Sequence, residues 1–242
     1  MSGNRAVLMV GGMGSRLRPY TYVIPKPLLP VGDKPILEII VRQIASHGFD
    51  DITMACGYQA NRIKAYFQDG SIFGCNIDYV VEPEGAWLGT AGSLRHIKRL
   101  GEAPFLLMNG DILTRLNYSK MYEFHKKQGT LITVGLTRVK QRLSYGVIET
   151  NGRADRIKYI NEKPTQDYLI NSGIYALEPG AINYLPSSGP CDMPELIDRL
   201  MAEGKEVASY LIEDYWLDVG NIDNLEKARK DFAAWESLDD WV

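Results

Sequence analysis

Two short stretches near the start of the sequence carry the residue types that phosphate chemistry needs. The first, Gly11-Gly12-Met13-Gly14-Ser15-Arg16-Leu17-Arg18-Pro19, follows the apolar run Ala6–Val10. Glycines let a backbone turn tightly and press its N–H groups against a ligand with no Cβ in the way. Arg16 and Arg18 add guanidinium groups that pair with phosphate oxygens. A bare GGxG is equally compatible with a plain strand-to-helix turn, and the loop is neither G-x-G-x-x-G nor a Walker A sequence. The continuation decides the matter. In Pro25-Lys26-Pro27-Leu28-Leu29-Pro30, prolines on both sides keep the lysine out of a helix and hold its ammonium in one place. A fixed cation shortly after a glycine–arginine loop suits a triphosphate. Two carboxylates are also placed where ligands gather. Asp111 follows the apolar run Phe105–Met108, and Asp218 stands between a strand and the last helix. Such an aspartate is as often a helix cap as a ligand, and Glu162-Lys163 taken alone reads as a surface charge pair.

The elements that position these residues alternate from the start. Ala6–Val10, Ile52–Cys56, Ile77–Val81 and Phe105–Met108 read as strands. Between them lie helical patterns: Ile36, Leu37, Ile40 and Ile44 on one face with Gly48 as the stop, a helix around Ala60–Phe67, and another over Thr90–Arg99. This βαβα order predicts a mostly parallel, Rossmann-like sheet with helices on both faces, the strand ends and their loops lying along one edge. The second half reads as a smaller lobe. It has strands at Thr130–Leu136, Gly146–Glu149, Arg156–Ile160 and Asn171–Leu177, with a hairpin at Asn151-Gly152. Asp192-x-x-Glu195 is a capping box opening a helix with a Met193, Leu196, Ile197, Leu200, Met201 stripe. Asn221 caps a last helix with Leu225, Ala228, Phe232 and Trp235 inward. No linker or repeat interrupts the chain. The expectation is one domain over 1–242, with a nucleotide half to about residue 115 and a sugar-phosphate half from about 116.

Together these segments resemble the sugar-1-phosphate nucleotidylyltransferases. GGxG-[ST]-R-L followed by PKP is similar to that family's signature. The likeness continues through Gly89-Thr90-Ala91-Gly92, Asn109-Gly110-Asp111, Tyr145-Gly146-Val147, Asn161-Glu162-Lys163-Pro164, Asn171-Ser172-Gly173 and Trp216-Leu217-Asp218-Val219-Gly220, in order over residues 6 to 220. Short bacterial guanylyltransferases for mannose-like or glucosamine phosphates are the nearest in pattern. The resemblance implies a magnesium-dependent condensation of a nucleoside triphosphate with a sugar 1-phosphate, giving an NDP-sugar and pyrophosphate. It implies that Gly11, Gly12, Gly14 and Ser15 cradle the nucleotide phosphates, and that Arg16 and Lys26 stabilise the α-phosphoryl centre and leaving group. Asp111 and Asp218 would be magnesium ligands. Lys163 would hold the sugar phosphate, Glu162 the sugar hydroxyls, with Gly146 and Asn171 lining that pocket. One departure stands out: where some members carry an arginine for the α-phosphate, this chain reads Ser188-Gly189-Pro190-Cys191, so that contact is missing or supplied elsewhere. Neither an acyltransferase domain after the last helix nor a second activity is expected.

Base choice falls to Glu82 and the Gly89-Thr90 turn. Guanine offers two adjacent donors that a carboxylate accepts together, whereas uracil and thymine set carbonyls beside their single donor. This favours GTP and leaves UTP or dTTP as the alternative. The first-loop likeness to choline-phosphate and molybdopterin nucleotidyltransferases is countered by the NEKP and WLDVG segments. A non-catalytic nucleotide-sugar sensor would be expected to lack one of Arg16, Lys26, Asp111 or Asp218. The composition agrees: 242 residues and a net charge of -3 make nucleic acid or an anionic membrane an unexpected partner. Three scattered cysteines fit reduced thiols in the cytoplasm. The histidines (His47, His96, His125) are isolated in predicted helices and furnish neither a zinc site nor a triad. No signal peptide or membrane span is expected, and homo-oligomerisation is left open.

Overall fold

A computed structural model describes residues 4–83, 88–98, 100–152 and 155–234. In chain order its elements are β1 Arg5–Val10, β2 Pro30–Val31, β3 Lys34–Pro35, α1 Ile36–Ser46, β4 Asp51–Cys56, α2 Ala60–Phe67, β5 Asn76–Val81, α3 Gly89–Gly92, β6 Phe105–Asn109 and β7 Ile112–Thr114. There follow α4 Tyr118–Gln128, β8 Ile132–Arg142, β9 Val147–Thr150, β10 Ile157–Asn161, β11 Thr165–Leu177, α5 Met193–Ala202, β12 Ala208–Ile212, β13 Trp216–Asp218 and α6 Ile222–Ala233.

Seven strands form the main sheet in the order β12-β8-β11-β6-β1-β4-β5. All the pairings are parallel except those of β11, which runs antiparallel to both β6 and β8. The uninterrupted apolar character of β1 follows from its place in the middle. Ala6, Leu8 and Val10 enter one core with α1, α2, α4 and α6, while Val7 enters the other with α3 and α5. A strand covered on both faces shows no polar alternation. From β1 the chain passes to β4 and β5 on one side, then returns to place β6 on the other. The crevice beyond the carboxyl ends of β1 and β6 is therefore a topological switch point, where α/β sheets bind ligands.

The structure corrects the sequence reading in several places. The helix expected over Thr90–Arg99 is one four-residue turn followed by a 3₁₀ turn at Ser93–His96, and the chain is extended by Ile97; Arg99 lies outside the described residues. Ala91 and Gly92, in the first of these turns, donate their N–H groups to the Cys191 carbonyl. His47 accordingly stands just beyond α1, and His96 in the 3₁₀ turn. Strands β8 and β11 run further than expected. Thr137–Arg142 pairs with Thr165–Ile170 in an arm leaving the core, and most of its residues are exposed, so no burial pattern marks it. Strands β2, β3, β7 and β12 were not anticipated. On α5, Met193, Leu196 and Leu200 are buried but Met201 faces solvent. Trp235 lies outside the described residues. Among those described, no helix is long and apolar enough to cross a membrane.

Candidate active site

The glycine loop leaves β1 at the switch point. Gly14 adopts φ +61°, and a Cβ there would come within 3.0 Å of both Lys26 Cβ and Thr21 Cγ2. Only glycine lets the loop fold back onto the lysine segment this closely. Thr21 fastens the arrangement by donating its hydroxyl to the Gly14 carbonyl at 2.8 Å. Lys26 opens a 3₁₀ turn between its two prolines, and its side chain is buried. Gly12, Gly14, Ser15, Arg16, Lys26 and Asp111 all line one cavity of about 250 Å³, together with Met9, Val10, Pro27, Gly110 and Gly220.

The second strand pair explains how two aspartates far apart in sequence meet. β7, directly after Asp111, pairs antiparallel with β13, with Ile112 opposite Asp218. Val219 N–H then donates to the Asp111 carbonyl at 2.9 Å. Asp111 forms an ion pair with the Lys26 ammonium. The Arg16 guanidinium and the Asp218 carboxylate converge over Gly220, each 3.0 Å from where its Cβ would be. Burial pushes the Asp218 carboxyl above the ordinary carboxylate range and the Asp111 charge adds to this, with Lys26 and Arg16 opposing. Asp218 Oδ1 is buried and has no hydrogen-bond partner. An orphaned carboxylate oxygen beside a second carboxylate fits a hard divalent cation that takes one or two protein oxygens and its remaining ligands from water and phosphate. Among the described residues no group of three acidic, histidine or cysteine side chains is gathered to supply a complete protein cage.

Glu82 follows β5 at the same edge, its carboxylate oxygens 3.5 and 3.6 Å from where a Gly11 Cβ would stand. Partial burial raises its pKa, and the Leu88 backbone N–H directed at the carboxylate counters this. Gly57, ending β4, was missed by sequence reasoning. A Cβ there would come within 2.7 Å of the Gly11 carbonyl, and its position as a glycine directly after a strand was the available signal. Thr90 is occupied within the protein: its hydroxyl donates to Asp192 Oδ1 at 3.2 Å and accepts from Met193 N–H at 2.9 Å. Facing the segment that lacks an arginine, Arg95 donates to the Pro186 carbonyl at 2.9 Å and to that of Gly189.

The residues expected to meet a sugar phosphate lie on the second half. Glu162 Oε2 stands 2.8 Å from where a Gly146 Cβ would be, so this glycine admits the carboxylate. Lys163, unusually at φ +48°, sets its ammonium 4.0 Å from Glu162 Oε1, and both side chains are exposed. Asn171 accepts from Gly173 N–H at 3.0 Å and donates to the Tyr175 hydroxyl at 2.8 Å. Trp216, on the strand that carries Asp218, donates to the Ser172 carbonyl at 2.9 Å. These contacts join the Asn171 segment to the paired aspartates, whereas Glu162 and Lys163 remain on the outer hairpin.

Comparison with known proteins agrees with this architecture. A profile of the nucleotidyl transferase family matches residues 5–234. The UTP–glucose-1-phosphate uridylyltransferase of Synechocystis sp. is 32% identical over 235 residues, covering 90% of this chain and 60% of that protein. The mannose-1-phosphate guanylyltransferase of Mycobacterium tuberculosis is 31% identical over 234 residues, covering 94% and 64%. The chain thus spans about 60% of the length of such curated relatives. Among solved structures, a Bacillus anthracis protein described as a glucose-1-phosphate thymidylyltransferase superposes with a TM-score of 0.77 at 22% identity, covering 96% of each chain. HddC of Yersinia pseudotuberculosis, solved with GMP-PN, gives 0.71 at 22% identity over 95% of this chain and 99% of its own. Both share the fold.

Proposed function

This chain belongs to the nucleotidyl transferase family, and from that premise we propose that it condenses a nucleoside triphosphate with a sugar 1-phosphate. The observation that carries this reading is the meeting of Arg16, Lys26, Asp111 and Asp218 around the glycine loop at the sheet's switch point. A sugar-phosphate oxygen attacks the α-phosphorus, and that new P–O bond replaces the one to the bridging α–β oxygen. Pyrophosphate leaves with the bond's electrons. The nucleophile is already anionic, so no general base is required; the work is alignment and charge neutralisation. Backbone N–H groups of Gly11, Gly12, Gly14 and Ser15 bind the phosphates. Arg16 meets the α-phosphoryl group, and Lys26 meets the departing pyrophosphate once it exchanges Asp111 for phosphate oxygens. A magnesium ion held by Asp111 and Asp218 would supply charge neutralisation and phosphate alignment. Glu162 and Lys163 would take the sugar hydroxyls and phosphate, with Gly146 and Asn171 beside them.

GTP is the nucleotide we favour, because the Glu82 carboxylate beside Gly11 can accept both guanine donors. Two of the relatives, the mannose-1-phosphate guanylyltransferases of Mycobacterium tuberculosis and Yarrowia lipolytica, act on that base by name. The Synechocystis uridylyltransferase keeps UTP as the second reading. Buried, unpaired Cys56, Cys75 and Cys191 accord with a reducing cytoplasm.

The test is pyrophosphate release with magnesium across a grid of GTP, UTP, dTTP, ATP and CTP against several hexose, aminohexose and heptose 1-phosphates. Turnover by one pair is expected, with GTP used best. Release from no pair would sink the reaction; preference for UTP would remove only the base assignment. Glu82→Gln presents an amide donor to one guanine donor. It should lower the GTP-to-UTP ratio by about five- to a hundredfold, the loss of one buried hydrogen bond.

A further inference from the structure

The base-side turn at residues 88–92 is held by a segment about a hundred residues away. Cys191 N–H donates to the Leu88 carbonyl, and the Cys191 carbonyl accepts from Ala91 and Gly92 N–H, all at 2.9 Å. Asp192 Oδ1 accepts from Thr90 N–H at 2.9 Å and from the Thr90 hydroxyl at 3.2 Å. Gly89, at φ +76°, lies so close that a Cβ would overlap the Cys191 carbonyl and come within 3.0 Å of Asp192 Oδ1. The same turn reaches forward to Glu82, toward whose carboxylate the Leu88 N–H is directed, favouring its charged form. The two faces of the Leu88 residue thus connect the carboxylate at the nucleotide edge to the start of α5. Asp192 meanwhile shares a capping box with Glu195, whose carboxylate accepts from Asp192 N–H at 2.9 Å.

We propose that Asp192 is a positioning residue for nucleobase selection, fixing the 88–92 turn so that Leu88 N–H aims Glu82 at the base. Resting on the nucleotidyltransferase reading above, the proposal adds a residue of the second half to a choice made in the first. Asp192 touches neither substrate. Its carboxylate binds a backbone N–H and a hydroxyl of the turn, so its loss leaves half-buried donors unmatched and the turn free to shift. A carboxylate displaced by a fraction of an ångström no longer accepts two base donors at once, whereas phosphate contacts elsewhere are unaffected.

The capping function and the grip on Thr90 separate by substitution. Asp192→Ser keeps an S-x-x-E capping box, but its hydroxyl is one atom too short to bridge to Thr90. Asp192→Asn keeps an acceptor of the right reach. For each variant, GTP and UTP affinities are measured by calorimetry without sugar phosphate, alongside kcat and KM for both substrates and the melting temperature. Asp192→Ser should reduce the wild-type ratio between the two nucleotides by about five- to tenfold. KM for the sugar 1-phosphate and kcat with saturating GTP should be unchanged, and Asp192→Asn should restore the ratio. A purely structural role would lower the melting temperature and leave the ratio intact, which would overturn the proposal. So would a wild-type protein that binds GTP and UTP equally. Wild-type protein that binds neither nucleotide would instead overturn the reaction reading on which the proposal rests.

Discussion

Asp218 carries a charge in a place that disfavours it. Burial and the neighbouring Asp111 raise its carboxyl pKa, so at neutral pH the folded protein bears a cost that eases as pH falls through the raised value. Asp218→Asn removes that charge without altering shape, and should raise the melting temperature of the metal-free protein while lowering turnover by orders of magnitude. Asp111→Asn should lose activity comparably, but it also removes the Lys26 ion pair and should not stabilise. Calorimetry beside pyrophosphate release separates the two outcomes; near-normal turnover in both at saturating magnesium would refute the metal assignment. Lys26→Ala should depress kcat more than it raises KM for the sugar phosphate, because the charge it meets grows during transfer. His125 presents the opposite titration. It is buried on α4, with Nδ1 2.8 Å from the Thr133 hydroxyl and Nε2 3.8 Å from Glu178 Oε1 without a hydrogen bond, and burial pulls its pKa down to about 4 from 6.5. The unfolded chain therefore takes up a proton first, so stability is full above pH 6.5 and falls as pH drops toward 4. The loss is about 2–3 kcal/mol, measurable by urea titration at several pH values and expected to vanish in His125→Gln. That Gly14, Arg16, Lys26, Asp111 and Asp218 come together was legible because the alternating order of strands and helices gathers their segments at one edge of the sheet. Thr90 was less so. Its hydroxyl serves Asp192 and Met193, partners invisible in any local window.

Elements were legible where one face or both faces are buried. The apolar stripes of α1 and α6 and the runs of β1, β4 and β6 coincide with buried residues. They were not legible where pairing occurs without burial, as in the β8–β11 arm, or where a strand is three residues long and held only by its partner, as in β7. The 88–92 turn shows a third case, since it is held by Cys191 and Asp192, about a hundred residues away in sequence. Gly89→Ala should therefore be costly for two reasons, the left-handed φ and the overlap with Cys191, together about 2–3 kcal/mol. Gly152 in the β9–β10 hairpin has a similar φ of +81° but open space around it, so Gly152→Ala should cost about 1 kcal/mol. Denaturant midpoints of the two variants decide this. Equal losses would mean that the Gly89 turn yields instead of resisting.

At the scale of the whole molecule, the two halves of the chain share one sheet. β11, from the second half, lies between β6 of the first and β8 of its own, and strands β7 and β13 pair across about a hundred positions of sequence, Ile112 opposite Asp218 at one end and Thr114 opposite Trp216 at the other. Urea unfolding followed by far-UV circular dichroism and tryptophan fluorescence should accordingly give coincident single transitions. Two separated transitions would show that the two halves of the chain are autonomous. The antiparallel insertion of β11 also sets an order of events at the ribosome. β1, β4, β5 and β6 can assemble as soon as they emerge, but the free edge of β6, with Phe105, Leu106, Leu107 and Met108 along it, finds its neighbour only after residues 174–177 have been made. For the intervening stretch of translation, a sticky strand edge waits at the centre of a half-built sheet. Ribosome-associated factors that shield such edges should engage this nascent chain most strongly within that window.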